Sequence, residues 1–219
     1  MEWLGPLWGY RDQLLGGLWI TIQLTVLAGG LSIILAMIAG VGTLSRWRSV
    51  SVLCRIYIEF FRGTSLLVQM FWLFFVLPTL GVDLSPMVCG VWSLGLCFGA
   101  YGAEIVRSSL LAVPKGQYDA ATALNFSRLK ALRIVYLPQA LLLMVPLFCN
   151  LLIELLKATS LVSLITISEL TFEAKNLIFL TYDTARILIS VLLIYLVLSQ
   201  IIVVGMRQLE RALARGQRA

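Results

Sequence analysis

A chain of 219 residues that is 60% hydrophobic and only 13% charged, with mean hydropathy +0.94, has too few polar side chains to cover a water-soluble domain. Its excess apolar surface belongs in lipid, and its net charge of +6 is carried between apolar runs, so it sets topology and not nucleic-acid binding. Histidine is absent, and Cys54, Cys89, Cys97 and Cys149 contain no C-x-x-C pair. The cysteines are therefore read as packing residues, and neither a metal site nor a catalytic residue is expected.

The N-terminal Met1-Glu2-Trp3-Leu4-Gly5 places no basic region before an apolar run, so it is not read as a cleavable signal peptide. Five apolar runs follow, at about 18–44, 56–77, 87–106, 139–156 and 185–206, each long enough to cross the bilayer as a helix. Trp3, Trp8 and Trp19 suit the membrane interface. The whole chain, 1–219, reads as one all-α integral membrane domain with a polar loop at 107–138. No internal repeat is visible, and an odd number of spans argues against two equal inverted halves.

Lys and Arg orient the spans. Arg46, Arg48, Arg55, Arg107, Lys115, Arg128, Lys130, Arg133, Arg207, Arg211, Arg215 and Arg218 fall on one side, against Arg11, Lys157 and Lys175 on the other. The positive-inside rule then puts the N-terminus outside and the C-terminus in the cytoplasm.

The loop 107–138 reads as a helical hairpin. Pro114 suits a first helical turn, and Gly116, Gln117, Asp119, Ala120 and Ala121 continue it. Asn125 suits a left-handed stop, Ser127 can cap a second short helix, and Pro138 is expected to break or kink the chain before the fourth span. The small residues fit either a handle in a partner's groove or an ordinary solvated loop.

Ionisable groups inside apolar runs mark a solute path by default. Asn150, Glu154 and Lys157 stand at i, i+4 and i+7 on one face; Glu154 could hold a substrate ammonium, with Asn150 and the backbone of Thr159 and Ser160 taking the rest. The alternative is a Glu154–Lys157 pair satisfying itself. Arg62, with Thr64 nearby, could serve substrate, partner or a pair with Glu59. Glu104 and Arg107 read as a structural ion pair.

These segments carry a resemblance. Asp119-Ala120-Ala121, Asn125 and Val135-Tyr136-Leu137-Pro138 resemble the EAA loop of ABC-importer permeases, with Asp for the usual Glu and Asn for the usual Gly. Phe61-Arg62-Gly63-Thr64-Ser65-Leu66 is similar to the F-R-G-T-P-L motif of the polar amino-acid uptake family, with Ser for Pro. Glu104-Ile105-Val106-Arg107, Leu137-Pro138-Gln139-Ala140, Pro146, Asn150, Lys157-Ala158-Thr159-Ser160-Leu161 (Ala for the usual acid) and Glu169-Leu170-Thr171 continue it over almost the whole chain.

The resemblance implies the permease subunit of a bacterial inner-membrane importer of a polar amino acid or a derived zwitterion such as ectoine. It implies a dimer of ATP-binding subunits as partner, a second permease subunit, and a periplasmic or lipid-anchored binding protein. ATP and magnesium would be bound by the ATPase, since this chain has no G-x-x-x-x-G-K-[ST] loop. An ion-coupled secondary transporter is the rival reading.

Overall fold

A computed structural model describes residues 11–216, and Trp3, Trp8 and Arg218 lie outside the described residues. Among these residues every regular element is helical. Helix α1 covers Arg11–Gly42, α2 Arg48–Gly63 and α3 Leu66–Phe71, which runs on through a π turn, Trp72–Val76, and a 3-10 turn, Leu77–Leu80. Helix α4 covers Pro86–Leu111, α5 Lys115–Ala123 and α6 Arg128–Ala131. A π turn at Leu132–Tyr136 leads into α7, Leu137–Ala158, followed by a 3-10 segment at Thr159–Ile165, α8 at Leu170–Thr181 and α9 at Thr184–Gly216.

The centre of the fold is the α1–α4 pair. Small residues on both helices let the backbones approach closely. A Cβ at Gly40 would stand 2.6 Å from Val106 Cβ, one at Gly102 2.7 Å from Ala36 Cβ, and one at Gly95 2.5 Å from Leu31. Gly90 meets Leu24 in the same series. Residue numbers rise together along both helices, so α1 and α4 run in the same direction. The chain must therefore return across the bilayer between them.

That return is the element the sequence misplaced. A continuous second span at 56–77 is not formed: Arg48–Gly63 and Leu66–Leu80 meet at a bend of 100°. Thr64 and Ser65 are extended, with ψ of 153° and 129°. The Gln69 amide closes the corner, donating to Thr64 Oγ1 at 2.6 Å and to the Phe61 carbonyl at 3.1 Å. Among the described residues four single helices are long and apolar enough to cross a membrane, and the bent pair counted as one span makes a fifth.

The fourth span also differs. Pro138 does not break the chain, because it sits in the first turn of α7 where its missing N–H costs little. The π turn before it takes up the register, and Leu129–Ile165 forms one 37-residue helical rod. The expected second short helix is thus the start of that rod. Leu24, Leu94, Met144, Leu155 and Ile165 are buried where α1, α4 and α7 meet. By contrast α9 turns Leu192, Leu196, Val197, Ile201 and Val204 outward, an apolar face with lipid as its only suitable solvent.

Candidate functional site

The hairpin is built from local backbone chemistry. Pro114, at φ −56° and ψ 138°, sets the chain up for α5 without entering it. Asn125 ends it at φ 53°, with Asn125 N–H donating to Thr122 O at 2.9 Å and Phe126 N–H to Ala121 O at 3.0 Å, the pattern of a left-handed helix stop. Ser127 Oγ accepts from Lys130 N–H at 3.4 Å, as a capping side chain does.

Tyr118 anchors the hairpin to the bundle. Its hydroxyl donates to Leu110 O at 2.8 Å, and its ring stacks on Tyr136 at 4.2 Å. Burial, with Tyr136 beside it, pushes the Tyr118 hydroxyl above its ordinary pKa. Ala121 faces inward, whereas Gly116, Gln117, Asp119, Ala120 and Asn125 are exposed together with Leu124 and Leu129. The result is a slim outer surface with one carboxylate and two uncovered leucines. Between the hairpin and the end of α1 lies a cavity of about 590 Å³ bordered by Leu44, Arg46, Tyr118, Phe126 and Leu129.

The second cluster lies on α7. Asn150, Glu154 and Lys157 are all exposed along one face. The self-satisfied Glu154–Lys157 pair is not formed: neither residue makes an ion pair among the described residues. On a helix of the membrane core these charges need a polar space beside them. Thr159 is fully buried and donates its hydroxyl to Leu156 O at 2.7 Å, so its side chain points away from that face. Ser160 is half-buried and donates to Lys157 O at 2.8 Å.

Arg62 finds different partners from those expected. It approaches Glu104 Oε1 at 3.9 Å and lies over the Tyr101 ring at 5.4 Å, and the suggested Glu59–Arg62 pair is absent among the described residues. Arg62 reaches from α2 to α4 instead of along its own helix. Glu104 also holds Arg107 at 3.5 Å, as the i, i+3 spacing suggests. Thr64 donates to Phe60 O at 2.8 Å while receiving Gln69, so it shapes the corner. Among the described residues no group of acidic residues and cysteines could hold a metal ion.

Glu169 was noticed in the sequence only as part of a motif. Its side chain is completely buried. It accepts from Phe172 N–H at 2.9 Å, capping α8, and from Tyr195 Oη at 3.1 Å. Burial pushes its carboxyl above the ordinary value, against the pull of these hydrogen bonds and those from Thr171. Nearby, Leu170 N–H donates to Thr21 Oγ1 at 3.2 Å, so α8, α1 and α9 are tied at one point. The signal available in sequence was the three-residue spacing from a carboxylate to a helix's first free N–H groups.

Residues 32–215 match the family of binding-protein-dependent transport system inner membrane components. The probable amino-acid ABC transporter permease protein y4tF of Sinorhizobium fredii is 46% identical, over 98% of this chain and 91% of its own length. The L-cystine transport system permease TcyB of Bacillus subtilis is 38% identical over 83% of this chain and 75% of its own. The glutamine transport system permease GlnP of Escherichia coli K12 is 34% identical over 96% of each. Among solved structures, an amino acid ABC transporter crystallised with histidines superposes with TM-score 0.87 at 30% identity, covering 94% of this chain and 97% of that one. The methionine transporter MetNI, at 19% identity and TM-score 0.78, shares the fold. This chain belongs to the binding-protein-dependent transport system inner membrane component family, the multi-pass inner-membrane permeases that work with ATPase subunits.

Proposed function

We propose that this chain is the permease subunit of an ATP-driven importer of a polar amino acid or an amino-acid-derived zwitterion, an ectoine-like solute among them. Two permease subunits, identical or paralogous, form the path, and two ATPase subunits carrying ATP and magnesium grip the 114–137 hairpins. A periplasmic or lipid-anchored binding protein delivers solute from outside. The N-terminus lies outside and the C-terminus in the cytoplasm, and the chain is one domain, 1–219. Gly116, Gln117, Asp119, Ala120, Ala121 and Asn125 form the gripped surface, and Pro138 lies in the rod behind it. ATP hydrolysis belongs to the partner.

The observation that carries this reading is the file Asn150–Glu154–Lys157, its two charges without an ion pair among the described residues, on a helix that is apolar from Ala140 onward apart from this file. An uncompensated carboxylate and ammonium at that spacing complement a zwitterion's ammonium and carboxylate. Arg62, held by Glu104 and Tyr101, and Thr64 at the corner are assigned to the same path, with Thr159 and Ser160 contributing backbone groups next to Lys157. A secondary transporter would need its own coupling-ion site.

The deciding experiment is a thermal-shift screen of the cognate binding protein against polar amino acids and their zwitterionic derivatives, followed by uptake of the hit into vesicles holding the whole complex. ATP-dependent uptake supports the proposal. Uptake by this chain alone on an ion gradient overturns it.

A further inference from the structure

Helix α5 is lightly held. Of its nine residues only Ala121 is buried and only Tyr118 is half-buried, and few buried contacts mark a segment that moves easily. A four-residue turn, 124–127, joins it to the rod, with Asn125 in the left-handed conformation. Toward α1 the hairpin faces the cavity of about 590 Å³, bordered by Val41, Leu44, Leu129 and Leu132 as well as by Tyr118 and Tyr136. A short helix on a turn, with open space beside it, can swing without moving what it is attached to. A push on its outer surface would then be absorbed by the turn.

Tyr118 opposes that swing. Its ring stacks on Tyr136 with centroids 4.2 Å apart and planes inclined at 26°, and its hydroxyl donates to Leu110 O at 2.8 Å. Leu110 belongs to the last turn of α4, and Tyr136 ends the π turn that leads into α7. One side chain of the hairpin therefore bridges the end of α4 and the cytoplasmic part of the rod. The two anchors differ in kind. The hydroxyl ties α5 back to the helix that precedes it, whereas the ring ties α5 forward to the helix that follows, across the 124–127 turn. Only the second contact can carry motion from hairpin to rod.

We propose that Tyr118 and Tyr136 are a positioning pair that clamps the hairpin to the rod, so that a displacement imposed on the hairpin moves Leu129–Ile165 instead of folding the 124–127 turn into the cavity. This rests on the reading of the hairpin as the surface gripped by the ATPase subunits. Asp119 and Ala120 lie on the exposed side of α5 and take the push. Tyr118, next to them in the chain and facing inward, passes it to Tyr136. The aromatic faces carry the clamp, so phenylalanine keeps it and an aliphatic side chain loses it.

The test uses the full transporter, ATPase subunits included, in nanodiscs, with ATP and vanadate as the added ligands and with Cys54, Cys89, Cys97 and Cys149 replaced by alanine. Nitroxides on Leu124→Cys and Ile134→Cys, both at exposed positions, report the hairpin against the rod. A second pair, on Leu15→Cys and Leu164→Cys, also exposed, reports the far end of the rod against α1. Wild type and Tyr136→Phe should give one narrow hairpin–rod distance with and without ATP and vanadate, while the far pair shifts. In Tyr136→Leu a second hairpin–rod distance should appear, the ratio of clamped to swung hairpins falling about fivefold, the scale of one lost aromatic pair, and the shift of the far pair should shrink with it. Tyr118→Leu removes the same contact from the other side, and the double variant should be no worse than either single one. A narrow distance in both leucine variants overturns the proposal, as does a wild-type hairpin–rod distance that itself changes with ATP and vanadate. A loss in Tyr136→Phe equal to that in Tyr136→Leu also overturns it, since the ring would then not be the clamp. If only the gripping of the hairpin fails, Gln117→Cys reacts freely with maleimide in the assembled transporter and the far pair ignores nucleotide, while the hairpin–rod distance still splits when either ring is lost.

Discussion

The proposed solute path turns on one side chain, Glu154. Glu154→Gln keeps its size and removes its charge, so ATP-dependent uptake should fall by about tenfold, the scale of one lost charge-assisted hydrogen bond, with assembly unchanged. Wild-type uptake would show that the carboxylate does not touch solute. Packing is equally local. A Cβ at Gly40 would meet Val106 Cβ at 2.6 Å and the Ala103 carbonyl at 2.7 Å, while Gly30 has nothing within 4 Å. Gly40→Ala should cost about 1–3 kcal/mol and lower the Tm of the purified complex, and Gly30→Ala should leave it unchanged or slightly raised. Glu169 adds a pH dependence. Its folded-state pKa is raised, chiefly by burial, so above the ordinary carboxyl range the native state holds a proton that the unfolded state has released. Its contribution is full at low pH and is lost as pH rises through the folded value. Unfolding measured against pH should show wild type losing ground to Glu169→Gln as pH rises from about 4; a constant difference would count against it.

At the scale of elements, the hairpin invites a direct test. Asp119 and Ala120 lie on its exposed side, and Tyr118 and Ala121 hold the opposite side to the bundle. Asp119→Lys or Ala120→Asp should therefore abolish solute-stimulated ATP hydrolysis without impairing membrane insertion, and unchanged stimulation would refute docking at this surface. The hairpin's turn was legible in the sequence because Asn125 and Ser127 act through their own local backbone chemistry. Spans 1, 3 and 5 were legible because long apolar runs have one stable form in lipid. The bend at Thr64–Ser65 was not. Gly63 hinted at it, but the corner depends on Gln69 reaching back to Phe61 and Thr64, a tertiary contact that hydropathy does not register. The smooth passage through Pro138 was hidden for a related reason, since a π turn upstream has no compositional mark. Ion-pair guesses from spacing succeeded for Glu104–Arg107, which share one straight helix. They failed for Arg62 and Glu154, whose surroundings are set by other elements.

For the whole molecule, the parallel α1 and α4 require an odd number of crossings between their starting sides, and the bent α2–α3 arm supplies one. Single cysteines in the 78–86 loop and in the 107–138 loop should therefore react with a membrane-impermeant maleimide from opposite faces of sealed vesicles. Labelling of both from the same face would remove the proposed topology. The rod Leu129–Ile165 has a further consequence. Its 37 residues span about 55 Å, with Pro146 inside the helix. One end begins in the hairpin, and the other is the 3-10 segment Thr159–Ile165, where Thr159 and Ile165 are buried. A tilt of about 10° at the hairpin would swing the far end through roughly 9 Å, more than the width of a single amino-acid backbone. On the proposed topology, leverage of that kind would carry a modest squeeze at the hairpin to the opposite side of the membrane.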